Sequence, residues 1–523
     1  MSDSTITFIV LGAVVVLFVT NRIPVAVIAI ATALSLWATG VLELEQATAG
    51  FGDPTVLFIA SLFVVSEALD STGVTAWVGQ VLIDRAGSDR NRIVVAMMLL
   101  CGVLTALITP NASVAALVPV IVIIAVRVGQ HTSQLLIPLA FAAHAGALLA
   151  LTGSPVSVIV SEAADDAGAG GFGFFEFALV GVPLLAGTIV IVVLLGRRVL
   201  PHRNAGSMPS DLTQHARTLA RHYRVQGEDP QRLFGRRYGA AEVIVPPRSP
   251  AIGRRAYPGM VTDSGQLVVI AVMRDDRRLD DPDTTIEAGD TLLVRGTWQA
   301  LTSQIDSDDA VLAVDPPDVV RRQAVPLGGG ARRAIAVLGL MVVLLATNAV
   351  PAAVAGLGAA CALVLLGVVP VDRAFAAIGW TTVVLVAGMM PLSTAMRTTG
   401  AAESLANRIV DLVGDSGPYP LLIALFVLTA VLGQLISNMA TALIVIPIAL
   451  SAAAELDVAV APVLMSVNVA AAAALLTPVA TPANLMVMEP GGYRFNDYWK
   501  LGLPVLLWYF VVAVVLVPLV WSL

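Results

Sequence analysis

Charge is scarce in this chain. Asp, Glu, Lys and Arg make up 13% of its 523 residues, against 57% hydrophobic residues and a mean hydropathy of +0.86. A soluble fold of this length has no use for so much apolar surface. Cysteine is nearly absent. Cys101 and Cys361 both lie in apolar stretches without metal-ligand spacing, and they read as inert buried thiols. His131 and His144 also lack a partner at ligand spacing and read as packing or loop positions rather than a proton relay. There is no His-Glu-x-x-His and no Gly-x-Ser-x-Gly, so the chain is not expected to be an enzyme, and the insert at 205–325 has no P-loop and no Gly-x-Gly-x-x-Gly, so it is not expected to be an ATPase or a dinucleotide domain. A Thr-Val-Gly-Tyr-Gly-like filter stretch is missing as well, which counts against a potassium channel. The net charge of −7 decides little, because charge in a membrane protein is sorted by side.

What the chain has is apolar segments, near 5–20, 23–42, 54–70, 92–108 with 112–126, 134–160 and 175–197, several long enough to span a bilayer. The first has no basic residue before it and no small-residue cleavage site, so it reads as a mature helix and not a signal peptide. Deep in the apolar second half, Gln434–Ala442 carries a small uncharged polar knot around Ser437-Asn438 and Thr441. Its twin is Thr109-Pro110-Asn111-Ala112-Ser113, 327 positions earlier. The same offset carries Asn21-Arg22-Ile23-Pro24 onto Asn348-Ala349-Val350-Pro351, Ser71-Thr72-Gly73 onto Thr398-Thr399-Gly400, and Pro155 onto Pro482. The chain is therefore read as two copies of one unit, with residues 1–200 and 330–523 as the transmembrane repeats.

The two apolar runs flanking Asn111 are too closely spaced for two comfortable spans, so they are expected to form one re-entrant hairpin. That leaves five crossings per unit, and an odd number inverts the second copy relative to the first. The expected fold is an all-α polytopic membrane protein of two inverted repeats, with a small cytoplasmic α/β domain between them. With 205–325 placed in the cytoplasm, Arg22, Arg85, Arg90, Arg92, Arg127, Arg197, Arg198, Arg332, Arg333, Arg373, Arg494 and Lys500 fall inside. Glu43, Glu45, Glu162, Asp165 and Asp166 fall outside, with Arg397 and Arg408 as exceptions. This follows the positive-inside rule and puts both termini outside the inner membrane. Amphipathic stretches at 74–86 and 401–413 are expected along the interface. Glu67, Asp70 and Arg397 lie near span ends, where snorkelling explains them better than transport.

The insert, 205–325, is charged and turn-rich. Asp211 is an expected helix N-cap. Strands are expected at Ala241–Pro246, Gln266–Arg274 and Thr291–Arg295, turns at Asp275-Asp276 and Gly289-Asp290, and a helix at Trp298–Ile305.

Each unit has a second polar break: Thr152-Gly153-Ser154-Pro155-Val156-Ser157 in the first, and Thr477-Pro478-Val479-Ala480-Thr481-Pro482-Ala483-Asn484 in the second. A break inside an apolar span frees backbone groups. The half-helix that restarts points its positive dipole end at the break, which suits an anion. Freed carbonyls suit a small hard cation. No Lys or Arg lies in the four polar stretches, so an anion held there lacks a protein counter-charge. A co-bound cation supplies one, which is a physical reason for coupling. Phe174-Phe175-Glu176-Phe177 and Phe495-Asn496-Asp497-Tyr498, each leading into Gly-x-Pro, are expected to anchor the last spans.

Ser437-Asn438 in a hairpin, Ala480-Thr481-Pro482-Ala483-Asn484 in a broken helix and Asp497-Tyr498 before Gly502-Leu503-Pro504 resemble the divalent anion–sodium symporter family of the citrate-transporter-like superfamily. The insert's Ala241–Pro246, Ser249–Gly253 and Glu287–Val294 resemble the C-terminal ligand-sensing domain of potassium-conductance regulators, the TrkA-C type. The resemblance implies a homodimer that carries a small divalent anion, sulfate or a di- or tricarboxylate, with sodium by an elevator motion. Substrate would meet Asn111, Ala112, Ser113, Ser154, Pro155, Ser157, Asn438, Met439, Thr441, Thr481, Pro482 and Asn484. Sodium, the one metal expected, would meet Thr109, Asn111, Gly153, Ser437, Asn438 and Ala480. The sequence departs from the family pattern at Met439, where a Thr is usual, at Ser154 for Thr and at Ser157 for Asn. No other cofactor and no nucleic-acid partner is expected. Residues 241–305 are expected either to sense a small ligand, such as the nucleotide cyclic di-AMP, or only to pack the dimer. A channel or potassium-linked transporter gated by the insert is the alternative reading.

Overall fold

A computed structural model describes residues 2–20, 22–74, 77, 89–203, 222–223, 233, 238–262, 265–275, 277–298, 300–301, 303, 311–314, 330–413, 417–478 and 480–523. Packing divides the chain into one unit of Met1–Met208 with Gly329–Leu523 and a second of Pro209–Gly328.

The larger unit is helical. Its first half holds α1 (Asp3–Thr20), α2 (Val25–Ala38), α3 (Leu44–Thr48), α4 (Pro54–Ser71), α5 (Arg90–Leu107), α6 (Pro110–Arg127), α7 (Leu136–Gly146), α8 (Pro155–Asp166) and α9 (Ala178–Val199). Its second holds α10 (Ala331–Ala346), α11 (Ala352–Leu365), α12 (Val371–Ala377), α13 (Trp380–Thr398), α14 (Ala401–Val413), α15 (Pro418–Leu435), α16 (Asn438–Glu455), α17 (Val460–Ala471), α18 (Pro482–Met488), α19 (Tyr498–Val511) and α20 (Val517–Val520). Val25, Leu44 and Pro155 open helices whose counterparts open at Ala352, Val371 and Pro482, each 327 positions on. Among the described residues, seven helical stretches are long and apolar enough to cross a membrane, and α12 with α13 makes an eighth candidate bent by 55°.

Local chemistry sets the helix starts. Proline stands at the first turn of α4, α8, α15 and α18, where its missing N–H costs no hydrogen bond. Asp53 caps α4 by accepting from Thr55 N at 2.8 Å, and Asp89 caps α5 by accepting from Arg92 N at 3.1 Å. Directly after α19, the turn widens to a π-helix at Val512–Leu516. There Ser466 Oγ donates to the freed Ala513 carbonyl at 2.7 Å.

The halves are interleaved. Helix α2 of the first packs on α13 of the second, and α4 of the first packs on α11 of the second. Since α11 and α13 are the counterparts of α2 and α4, the contact is exchanged between halves, as a twofold relation requires. The second pair of exchanged contacts is α6 on α18 and α16 on α8. Helices α9 and α19, counterparts of each other, pack together, with Trp508 Nε1 donating to Pro183 O at 3.1 Å.

Three expectations need correction or completion. Cys101 is buried, but Cys361 is exposed. It lies on α11, whose residues Val354, Leu357 and Leu365 are also exposed, so its apolar neighbourhood is an outer surface and not a core. The segment 134–160 is not continuous: α7 ends at Gly146 and α8 begins at Pro155, so the break opens before Thr152. The amphipathic stretch at 401–413 is the helix α14, while most of 74–86 lies outside the described residues.

Among the described residues, the smaller unit holds a five-stranded antiparallel sheet in the order β3-β2-β4-β1-β5. Its strands are β1 (Tyr238–Ile244), β2 (Leu267–Arg274), β3 (Arg277–Leu279), β4 (Thr291–Thr297) and β5 (Leu312–Ala313). The three strands expected from sequence are β1, β2 and β4, and both turns bend through positive φ, at Asp275 (46°) and Gly289 (90°). Trp298, Ala300, Leu301 and Ser303 are helical, while the helix start at Asp211 lies outside the described residues. Val243, Val269, Val272, Leu292, Val294 and Trp298 form the core of one face. Arg274 clamps the β4 turn. Its Nε and Nη2 each donate at 2.8 Å to the buried Asp290 carboxylate, which holds the guanidinium above its ordinary pKa.

Candidate substrate and cation site

The hairpin tips are short. Only Ile108 and Thr109 separate α5 from α6, and only Ile436 and Ser437 separate α15 from α16. Ile108 and Ile436 adopt the same extended backbone, at φ −132° and −129°. In the first tip Ser113 is buried, lies 2.5 Å from Thr105 Oγ1 and donates to Thr109 O at 3.0 Å. In the second, Ser437 Oγ accepts from Ala440 N at 3.3 Å as the helix cap. Asn438 Oδ1 and the fully buried Thr441 Oγ1 have no hydrogen-bond partner among the described residues. They stand three residues apart on one face of the first turn of α16.

The two breaks are joined across the halves. Asn484 is fully buried. Its Nδ2 donates to Ala474 O at 2.9 Å and Thr477 O at 3.0 Å, and its Oδ1 lies 3.1 Å from Nε2 of His144 on α7. The same Nε2 lies 3.2 Å from Thr481 Oγ1, the cap of α18. In the other direction Asn468 Nδ2, on α17, donates at 3.2 Å to the buried Ser157 Oγ on α8. The first part of each broken helix thus holds the second part of the other. Gln434 steadies the second break by donating to Ala473 O at 3.0 Å and accepting from Leu476 N at 3.0 Å. Tyr498 OH donates to Asn484 O at 2.7 Å, so this aromatic reaches the break as well as sitting at the head of the last helix.

A profile of the citrate transporter family matches residues 15–347 and 342–523. The chain belongs to the citrate transporter family. That family is one of membrane transporters, not enzymes. Among relatives of this family member, the uncharacterized transporter YfbS of Escherichia coli is 28% identical over 97% of this chain and 98% of its own length. Sodium/sulfate cotransporter 1 of Chlamydomonas reinhardtii is 32% identical over 122 residues, which cover 23% of this chain and 14% of that protein. The fold is shared with the YdaH transporter of Alcanivorax borkumensis, described as having an unusual topology. The TM-score is 0.51 over 93% of this chain and 89% of that one, at 14% identity.

The sequence-derived candidates divide by environment in this citrate transporter family member. Thr109, Ser113, Gly153, Ser157, Thr441, Ala480, Thr481 and Asn484 are buried. Ala112, Ser154, Pro155, Asn438 and Met439 are half-buried, and Asn111, Ser437 and Pro482 are exposed. Interhalf hydrogen bonds reach Ser157, Thr481 and Asn484. Sequence reasoning missed His144, Asn468, Gln434 and Tyr498 as partners of the breaks. Reading His144 as a packing or loop position undervalued it, because its partners lie in the other half. A lone amide or imidazole in an apolar segment is the signal that marks both Asn468 and His144.

Proposed function

We propose that the chain is a secondary transporter that couples movement of a small divalent anion, sulfate or a di- or tricarboxylate, to sodium. The observation that carries this reading is the pair of unpartnered oxygens, Asn438 Oδ1 and Thr441 Oγ1, at the start of α16. A buried polar atom without a partner costs about 1–3 kcal/mol, a cost that a bound ligand would remove, and here two such oxygens stand on one face at a hairpin tip. Both atoms are oxygens, and oxygens are what a small hard cation takes. The capped starts of α8, α16 and α18 supply N–H groups for an anion without a formal charge. The Chlamydomonas cotransporter named for sodium and sulfate favours this pair of solutes.

In this reading α5–α9 with α15–α19 form the moving block of an elevator, and α1, α2, α4, α10, α11 and α13 form the scaffold of a homodimer. The second copy is inverted relative to the first. Both termini lie outside the inner membrane, and residues 209–328 form a cytoplasmic TrkA-C-like regulatory domain that binds a small ligand such as a nucleotide.

The test is uptake of labelled sulfate, succinate and citrate into proteoliposomes, with and without an inward sodium gradient. At least one is expected to accumulate only with sodium. No sodium-dependent uptake of any of the three would sink the reading, and ion flux far above carrier turnover would favour a gated channel. Thr441→Val keeps the shape and removes the hydroxyl, so it is expected to raise the sodium KM about tenfold. Deleting residues 210–320 is expected to change the rate of uptake while the dimer persists. Loss of the dimer would identify the domain as a packing module instead.

A further inference from the structure

The orientation of the Asn484 amide is fixed by its surroundings. Its two contacts on one side are the carbonyls of Ala474 and Thr477, at 2.9 and 3.0 Å. An amide oxygen there would face two acceptors, so the nitrogen must occupy that side. Oδ1 then faces His144 Nε2 at 3.1 Å, and a nitrogen meets that acceptor only as N–H. The tautomer follows: the proton is on Nε2. That one N–H also lies 3.2 Å from Thr481 Oγ1, which in turn accepts from Asn484 N at 3.3 Å. His144 therefore holds the cap and the third residue of α18, from 337 and 340 residues away in sequence.

The mirror contact supports this reading. Asn468 lies 324 positions after His144, the offset between the starts of α7 (Leu136) and α17 (Val460). Asn484 lies 327 positions after Ser157, the offset between the starts of α8 and α18. The His144–Asn484 and Asn468–Ser157 bridges are thus one contact made twice with different chemistry. In the first the donor is an imidazole and the held group an amide. In the second the donor is an amide and the held group a hydroxyl. A histidine that only filled core space would not share its one donor between the cap and the third residue of a helix in the other half.

We propose that His144 is a positioning residue: its Nε2–H locks Asn484 so that the break of the second half keeps the shape in which Thr481 and Asn484 stand at the substrate site. The substrate half of this statement rests on the transport reading above; the locking half does not. His144 acts through Asn484 and Thr481 and need not touch either solute.

The test uses the full chain, purified in detergent, with the variants His144→Leu, His144→Gln and His144→Asn. A Gln amide nitrogen reaches the place of Nε2, and an Asn amide nitrogen falls short of it. Hydrogen–deuterium exchange of peptides covering 474–488 is expected to rise about tenfold in the Leu and Asn variants, with peptides covering 155–166 changing less. His144→Gln is expected to recover most of the protection. In proteoliposomes the Leu and Asn variants are expected to raise the KM for the transported anion about tenfold with the maximal rate within about twofold, and His144→Gln to restore it. Uptake by His144→Gln is expected to keep the wild-type profile from about pH 5.5 to 8.

Unchanged exchange in the Leu and Asn variants would overturn the proposal. So would equal exposure of the Gln and Asn variants, or a pH profile flattened by Gln, which would make the imidazole a proton carrier. If His144→Leu does not fold, the Gln–Asn comparison decides alone. A wild-type protein that moves no anion would overturn the transport reading, and the exchange experiment would still judge the lock.

Discussion

Replacing Asn484 by alanine is expected to remove sodium-dependent uptake and to lower the melting temperature of the detergent-solubilised protein. Three contacts are lost at once: those to the carbonyls of Ala474 and Thr477 and the one from His144 Nε2–H, which keeps only Thr481 Oγ1. In water such losses cost about 1–3 kcal/mol each. Within a membrane protein, the measured value per bond is nearer 0.6 kcal/mol, with a maximum of about 1.7, because the unfolded reference also finds partners. The total is then about 2–5 kcal/mol. The local effect is larger than the global one, because all three groups lie around a single break. The N-terminus of α18 loses its fixed direction, and with it the groups proposed to face the solutes. Asn484→Asp separates shape from donor. It has nearly the volume of Asn and keeps an acceptor for His144, but turns an oxygen toward two carbonyls. It is therefore expected to melt at or below Asn484→Ala. An Asp variant that behaves like wild type would show that the Asn484 donors do not hold the break.

The parts of the fold that were legible in the sequence are those where polar residues interrupt an apolar background. Asn111 and Asn438 lie within one or two residues of the hairpin tips, and Pro155 and Pro482 open the half-helices. Each of these is a local signal, because proline fixes its own backbone and a Ser or Thr caps the turn beside it. Pairing between the halves left no such trace. Nothing near His144 names Asn484 as its partner, and the correspondence of His144 with Asn468 is hidden by a change of offset. The break spans residues 147–154 in the first half and 472–481 in the second, so the two helices before it are displaced relative to the two after it. The error at Cys361 has a different cause. Apolar neighbours mean burial in a soluble fold, but on the outer face of a membrane transporter apolar residues stay exposed. In the inserted domain, β3 and β5 are three and two residues long, too short for an alternating pattern to show.

Alanine at Gly181 or Gly502 is expected to be among the most disruptive small-residue changes in the larger unit. These glycines stand in the Gly-x-Pro turns that open the last helix of each half. A Cβ on Gly181 would lie 2.0 Å from Leu148 O and 2.5 Å from Leu148 C; one on Gly502 would lie 2.2 Å from Leu475 O and 2.9 Å from Leu475 C. Both obstacles are backbone atoms of the breaks, so no side-chain rotation relieves them. The helix must retreat or the break must move, at a cost of about 1–3 kcal/mol or more. Because Leu475 sits beside Ala474, whose carbonyl Asn484 holds, the shift passes directly to the start of α18. Both variants are thus expected to lose melting temperature and uptake together, and by similar amounts, since the contact is the same in each half. Gly339→Ala in α10 is the control, with nothing within 4 Å of its Cβ. There the only change is helix propensity, which favours alanine by up to about 1 kcal/mol, so this variant is expected to melt at or above wild type. If Gly181→Ala and Gly502→Ala melt with Gly339→Ala, the last helices do not rest on the breaks. The carbonyls of Leu148 and Leu475 would then be free to move independently of the helices behind them, and the two breaks would not be held from both sides.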